Sequence, residues 1–254
     1  MKRQKKIFGL IGNPVKHSFS QIYFEEKFRL LNLNGLEYKL FELKSVTEIV
    51  ELLKNEPCLQ GLNVTSPFKT EILQYIDVKS DLTAMTGSCN CIKIKNNKLY
   101  GYNTDVFGFL KALKEQTDVT KIHSALILGS GGAAKAVKNA LENIHIQTLC
   151  VSRNPIGKDS KTVSYNDLSD KENLDMFDLI VNATPCGMKH TKAVMQFPYE
   201  KINAKHTVFD LVYNPPQTEL LIQASKRGAK TINGLKMLYY QADKSWEIWT
   251  KESN

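Results

Sequence analysis

The chain has 254 residues, 42% of them apolar, and a formal net charge of +8, enough for one large α/β domain or two modest ones with a sizeable core. Its lysines are spread among acids, and its one basic cluster, Lys2-Arg3-Gln4-Lys5-Lys6, carries no interleaved aromatics, so no nucleic-acid surface is expected. Five cysteines without a C-x-x-C pair and five scattered histidines leave neither a disulfide framework nor a metal site, and no apolar run reaches membrane-spanning or signal-peptide length, so a cytoplasmic protein with reduced thiols and no membrane partner is expected.

Residues 6–12 read as a buried strand from their branched apolar content, emptying into Asn13-Pro14-Val15-Lys16-His17-Ser18-Phe19-Ser20. A helix follows, with Tyr23, Phe24, Phe28, Leu31 and Leu33 as its apolar stripe. Ser20 suits the N-cap of that helix. Ser18 and Ser20 also lie at the carboxyl end of a strand, where open α/β sheets take their ligands, and a hydroxyl can do both. Residues 37–43 alternate as a strand, 47–54 have helical spacing, and 59–65 form a third strand running into Ser66-Pro67-Phe68-Lys69 and a short helix. This alternation predicts parallel pairing with right-handed crossovers. A lysine in the first turn of a helix opposes the macrodipole, so Lys69 is either a plain surface cation or one with a task.

Residues 88–95 and 98–102 pair as a hairpin across Asn96-Asn97. They deliver the chain to Asn103-Thr104-Asp105, where Asp105 has the residue type of an N-cap for the helix of 106–115. After a polar stretch comes Ser124-Ala-Leu-Ile-Leu-Gly-Ser-Gly-Gly-Ala-Ala134, which reads as strand, tight turn and helix. Gly129 and Gly131 suit a backbone that turns sharply and approaches a pyrophosphate, with Ala134 in the third small position; a plain structural turn has the same letters. The next strand, 147–153, ends in Ser152, Arg153 and Asn154, where an NAD-binding site would usually offer a carboxylate. A cation there favours a 2′-phosphate, hence NADP. Residues 178–184 and 206–213 are two further buried strands, 218–226 a helix, 229–232 a short strand and 235–249 a closing helix with Met237, Leu238, Gln241, Trp246 and Trp249.

Seven ordered pieces resemble the shikimate dehydrogenase family across nearly the whole chain: Gly12-Asn-Pro-Val-Lys-His-Ser-Phe-Ser20, Gly61-Leu-Asn-Val-Thr-Ser-Pro-Phe-Lys69, Asn103-Thr-Asp-Val-Phe-Gly108, Gly129-Ser-Gly-Gly-Ala133, Asn182-Ala-Thr-Pro-Cys-Gly-Met188, Asp210-Leu-Val-Tyr213, and Asn233-Gly-Leu-Lys-Met-Leu238 with Gln241-Ala242. The resemblance implies two α/β domains facing across a cleft. One is an α/β/α substrate-binding and catalytic domain, residues 1–103 rejoined by the helix of 235–254; the other is a Rossmann-like NADP-binding domain, residues 104–234. The implied activity is reversible, NADPH-dependent reduction of 3-dehydroshikimate to shikimate in aromatic amino-acid biosynthesis, by a monomer or homodimer that needs no metal.

By the same resemblance Lys69 and Asp105 form the catalytic pair. Ser18 and Ser20 receive the substrate carboxylate, Asn63, Thr65, Asn90, Asp105 and Gln241 contact its hydroxyls, and Tyr213 lies near the same site. The cofactor set is Asp81, Gly129, Ser130, Gly131, Gly132, Ala133, Ser152, Arg153, Asn154, Lys158, Thr184, Leu211 and Gly234. The chain departs from the family where Gln21 replaces a usual proline, Cys91 a threonine, and Ser152-Arg153-Asn154 an Asn-Arg-Thr. Two other readings stay open: an enzyme that also oxidises quinate, often with NAD, where Arg153 speaks against the NAD part and leaves the substrate part open, and a non-catalytic NADP sensor, against which the presence of both Lys69 and Asp105 speaks.

Overall fold

A computed structural model describes residues 5–153, 162–170, 174–189, 191 and 193–251. The chain divides into two compact units, Met1–Thr104 with Ala242–Asn254, and Asp105–Gln241. The first contains β1 (Lys6–Gly12), α1 (Ser20–Leu30), β2 (Leu36–Glu42), α2 (Ile49–Asn55), β3 (Leu59–Val64), β4 (Val78–Lys79), α3 (Asp81–Thr86), β5 (Cys91–Lys95) and β6 (Lys98–Tyr102). Its sheet runs in the order β2-β1-β3-β5-β6-β4. β1 lies parallel to both β2 and β3, as the alternation of strand and helix predicts. β5 is antiparallel to both β3 and β6, to β6 because a two-residue turn joins only antiparallel strands. Asn96 and Asn97 supply that turn with φ of 51° and 57°, the left-handed pair that it requires. After Lys69 the expected helix is only a 3-10 turn, Glu71–Tyr75. The sequence pattern misses β4 and α3. Ser80 caps α3 by accepting from Thr83 N, and Gly87, at φ 55°, ends it.

The second unit contains α4 (Asp105–Gln116), β7 (Ser124–Leu128), α5 (Gly132–Glu142), β8 (Gln147–Val151), β9 (Thr162–Val163), α6 (Tyr165–Asp170), β10 (Leu179–Asn182), β11 (Thr207–Asp210), α7 (Glu219–Lys226), β12 (Lys230–Asn233) and the start of α8 (Leu235–Thr250). The sheet order is β12-β11-β10-β7-β8-β9 with every pair parallel. This is the doubly wound arrangement, whose order reverses between β7 and β10, and ligands of such sheets bind outside the carboxyl ends of the strands at that reversal. Leu126, Ile127, Ile180 and Val181 are fully buried, which is why these strands are continuous apolar runs.

In the first unit β1 sends Ile7 and Ile11 to one face, against Ile49, Leu62 and Ile92. Phe8 and Leu10 go to the other, against Phe24, Phe28, Tyr38 and Trp249. From Ala242 onwards α8 belongs to this unit, and its Trp249 ring stacks on Phe8 at 4.9 Å while its N–H donates to Ile92 O at 2.9 Å. Gly61 of β3 makes room for that indole: a Cβ there would sit 2.4 Å from Trp249 Nε1. Gly61→Ala is expected to lower the unfolding free energy in urea by about 1–3 kcal/mol, the usual cost of overpacking, with the circular dichroism spectrum retained. An unchanged urea midpoint would show that the indole yields without cost.

Candidate active site

The ends of β1 and β3 leave their sheet side by side. Ile11 pairs with Val64, Thr65 N donates to Ile11 O at 2.9 Å, and Asn13 N donates to Ser66 O at 3.0 Å. Gly12 is required at this crossing, since a Cβ would lie 2.3 Å from Thr65 Cγ2. The loops that carry Ser18 and Ser20 and those that carry Thr65 and Lys69 are thereby held together. Ser20 is not the N-cap expected of it: Phe19 holds that position with no side-chain cap, and Ser18 Oγ accepts from Ser20 N at 3.2 Å. Ser20 is the buried first residue of α1. Lys69 is half-buried in the turn after Thr65, and its carbonyl accepts from Cys89 N at 2.7 Å, one residue before Asn90. With only a 3-10 turn behind it, Lys69 opposes no helix macrodipole.

Beside these loops the first unit buries a polar network. Tyr38 donates from its hydroxyl to Asn63 Oδ1 at 2.9 Å, and Asn63 Nδ2 donates to Asn90 O at 3.2 Å and to Ser245 Oγ at 2.9 Å. Asn90 Oδ1 accepts from Thr104 N at 2.7 Å, Asn90 Nδ2 donates to Thr104 Oγ1 at 2.9 Å, and Thr104 Oγ1 meets Ser245 Oγ at 3.2 Å. Burial, with Cys91 nearby, pushes the Tyr38 phenol well above its usual range, opposed by a hydrogen bond with Ser20, so the phenol remains a neutral donor. Sequence reasoning missed Tyr38, Thr104 and Ser245. The available signal was a hydroxyl on an apolar stripe: Ser245 stands between Ala242 and Trp249 on the buried side of α8. Asp81, named for the cofactor, is the exposed first residue of α3 in this unit.

The glycine turn lies in the second unit. Gly129 has φ of +118° and faces Thr184, whose Cγ2 would be 3.1 Å from a Cβ on that glycine. Gly131, before α5, has nothing within 4 Å of where a Cβ would stand, α5 has no side-chain cap there and no acid in its first turn, and Gly132 and Ala133 open the helix. Ala134 is buried against the strand, as the third small position demands. Ser130 Oγ lies 3.1 Å from Ser152 Oγ just past β8, and the exposed Arg153 follows. Asn154 and Lys158 lie outside the described residues. Gly234 is packed under Leu211, where a Cβ would meet its carbonyl oxygen at 2.0 Å, and Tyr213 is half-buried two residues on. Asp105 is the buried first residue of α4 rather than a residue ahead of it, and Gln241 Nε2 donates to Leu238 O at 2.9 Å within α8. Among the described residues no group of His, Cys, Asp or Glu is arranged to hold a metal, and no helix is long and apolar enough to cross a membrane.

Two polar residues that end paired strands organise the crevice side of this sheet. Asn182 of β10 and Asp210 of β11 are register partners. Asn182 Oδ1 accepts from Thr184 N at 3.0 Å and Thr184 Oγ1 at 2.6 Å, and Asn182 Nδ2 donates to Asp210 Oδ1 at 2.8 Å. Asp210 also accepts from Val212 N at 2.9 Å and from Thr218 Oγ1, the cap of α7, at 2.5 Å. Burial pushes the Asp210 carboxyl up to about 6, against these three hydrogen bonds, which pull it down. The folded chain therefore holds this proton more tightly than the unfolded chain, whose carboxyl titrates near its ordinary value of about 3.9. The stabilisation from protonation is full below that value and is lost as pH rises through about 6, with an amplitude on the order of 3 kcal/mol. Asp210→Asn imitates the protonated acid. Its urea midpoint is expected to fall less between pH 4.5 and 7 than that of the parent chain, and equal falls would clear Asp210 of the effect.

Residues 10–92 match the family described as "Shikimate dehydrogenase substrate binding domain". A "Shikimate dehydrogenase (NADP(+))" of Methanococcus maripaludis is 38% identical over 259 residues, covering 96% of this chain and 92% of that protein. The crystal structure of shikimate dehydrogenase from Aquifex aeolicus superposes with a TM-score of 0.87 at 33% identity, over 98% of this chain and 94% of that one. A shikimate 5-dehydrogenase from Thermus thermophilus, solved in complex with NADP(H) and shikimate, gives a TM-score of 0.85 at 29% identity, over 96% and 93%. With two strand-order reversals, a glycine turn ahead of an uncapped helix, and full-length likeness above 30% identity, the chain belongs to the shikimate dehydrogenase family.

Proposed function

We propose that this chain catalyses the reversible, NADP-dependent interconversion of shikimate and 3-dehydroshikimate in the cytoplasm, as a monomer or homodimer, with the first unit serving the substrate and the second the cofactor. The observation that carries the reading is the joining of the Ser18–Ser20 loop to the Thr65–Lys69 turn at the end of β1 and β3, with the Lys69 backbone bonded next to Asn90. A half-buried lysine on a turn tied to a loop of serines suits a small, hydroxylated acid. The five free cysteines agree with a reducing compartment.

The second unit fits a dinucleotide. The open space at Gly131 and the glycine-led start of α5 suit a pyrophosphate resting at the helix N-terminus. Arg153 follows β8 where a ribose 2′-phosphate calls for a cation. Gly129, Ser130, Gly131, Gly132 and Ala133 would hold the phosphates, Ser152 and Arg153 the 2′-phosphate end, and Thr184, Leu211 and Gly234 the opposite flank. When bound, NADP(H) supplies hydride exchange with the ring carbon that bears the reacting oxygen.

Lys69 stabilises negative charge on that oxygen and exchanges its proton. Its positive charge and its fixed place on the turn serve the developing alkoxide alongside the proton exchange. Asp105 is its counter-charge in the catalytic pair. Ser18 and Ser20 receive the substrate carboxylate, while Thr65, Asn63, Asn90, Gln241 and Tyr213 read its hydroxyls. A site built for hydroxyls strongly rejects analogues that lack them.

The test is a steady-state comparison of shikimate and quinate, each with NADP and NAD. Shikimate with NADP is expected to be turned over best, and a folded but silent protein would support a sensor instead. Lys69→Ala is expected to lower kcat by about 10² or more while shikimate binding stays within a few-fold; unchanged turnover would remove Lys69 from the mechanism. Arg153→Ala is expected to raise the KM for NADP far more than that for NAD, and equal changes would refute the 2′-phosphate assignment.

A further inference from the structure

The buried hydroxyl of Ser245 has contacts that bear on substrate recognition. It is fully buried and lies 182 residues from Asn63 in sequence, yet it accepts from Asn63 Nδ2 at 2.9 Å and meets Thr104 Oγ1 at 3.2 Å. The backbone carbonyl of Asn90 takes the other Asn63 amide hydrogen, and only an N–H can face a carbonyl, so the Asn63 amide has one orientation. Its Oδ1 then points to the Tyr38 hydroxyl, as observed. Asn63 Nδ2 donates to Ser245 Oγ, the Ser245 and Thr104 hydroxyls share a hydrogen bond in which either can donate, and Thr104 Oγ1 also lies 3.2 Å from Asn90 Oδ1. With both amide hydrogens engaged, Asn63 keeps for a ligand only the second lone pair of Oδ1.

Resting on the reading of Asn63 and Asn90 as substrate residues, we propose that Ser245 is a positioning residue: by holding the second amide hydrogen of Asn63 and orienting Thr104 against Asn90, it commits Asn63 to accept from a ring hydroxyl and sets the enzyme's preference for hydroxylated over dehydroxylated ring acids. Ser245 touches no substrate. Its removal frees an amide hydrogen and leaves buried polar atoms to find new partners, which loosens both asparagines at once.

The experiment compares the full-length chain with Ser245→Ala, Thr104→Val and the double variant. It measures shikimate affinity by calorimetry without cofactor, then KM and kcat for shikimate and for its analogues lacking one ring hydroxyl. Ser245→Ala is expected to weaken shikimate binding and raise its KM by about ten-fold, with kcat within about three-fold and the KM for NADP unchanged. Discrimination against the deoxy analogues is expected to shrink, and the Ser245→Ala effect is expected to become much smaller in the Thr104→Val background, since both act through one chain of bonds. Thr104→Val alone carries the affinity and discrimination test if Ser245→Ala does not fold. Unchanged affinity and discrimination, or full additivity of the two variants, overturns the proposal and leaves the enzyme assignment standing. A parent chain that neither binds nor turns over shikimate overturns that assignment and this proposal with it.

Discussion

Both sheets depend on the same close contact: a glycine at the end of one strand meets a threonine just past the end of its neighbour, at the place where the strand order reverses. In the first unit Gly12 faces Thr65, with 2.3 Å left for a Cβ, and in the second Gly129 faces Thr184, with 3.1 Å. Parallel strands bring their carboxyl ends to one edge, and the reversal parts the two outgoing loops to opposite faces, so a crevice opens there. Any side chain on the glycine would fill its floor. The two crevices hold different chemistry because the loops differ: serines, a threonine and a lysine in one, a glycine turn leading into an uncapped helix in the other.

Each crevice is backed by buried polar residues whose bonds close on one another. Asn63, Asn90, Thr104 and Ser245 do this in the first unit, and Asn182, Asp210 and Thr218, joined by the half-buried Thr184, in the second. Burying such groups costs free energy unless they are paired, and a fully paired set is rigid. That rigidity is useful beside a ligand, where a group held in one orientation recognises donor or acceptor without first being ordered. The second network carries a charge and the first does not. Three hydrogen bonds leave the Asp210 carboxyl still shifted upward by its burial, which ties the second sheet, but not the first network, to pH.

The closing helix joins these features to packing. In its second half the indole of Trp249 fills the space left by Gly61 and stacks on Phe8, and Ser245 lies one turn earlier on the same buried side. Tyr23 and Lys27 of α1 both bond to Asp243 on this helix. The aromatic layer therefore fixes the position of Ser245, and the polar network inherits that position.

Much of this was legible in the residues. Branched apolar runs marked the strands, Asn96-Asn97 marked the hairpin, and Gly129, Gly131 and Ala134 marked the tight turn between β7 and α5, because each depends on local periodicity or on a backbone angle that few residues adopt. The stretch of residues 71–87 was legible only in part, since two-residue strands and single helical turns carry too little pattern. That Phe19 and not Ser20 takes the N-cap position was hidden because the local rule favours the hydroxyl. Tertiary structure alone decided which polar groups meet. A strand tyrosine, a loop threonine and a helix serine read separately as ordinary residues, and only the folding of Tyr38, Thr104 and Ser245 around Asn63 and Asn90, with bonded partners up to 182 residues apart, gives each polar group its partner.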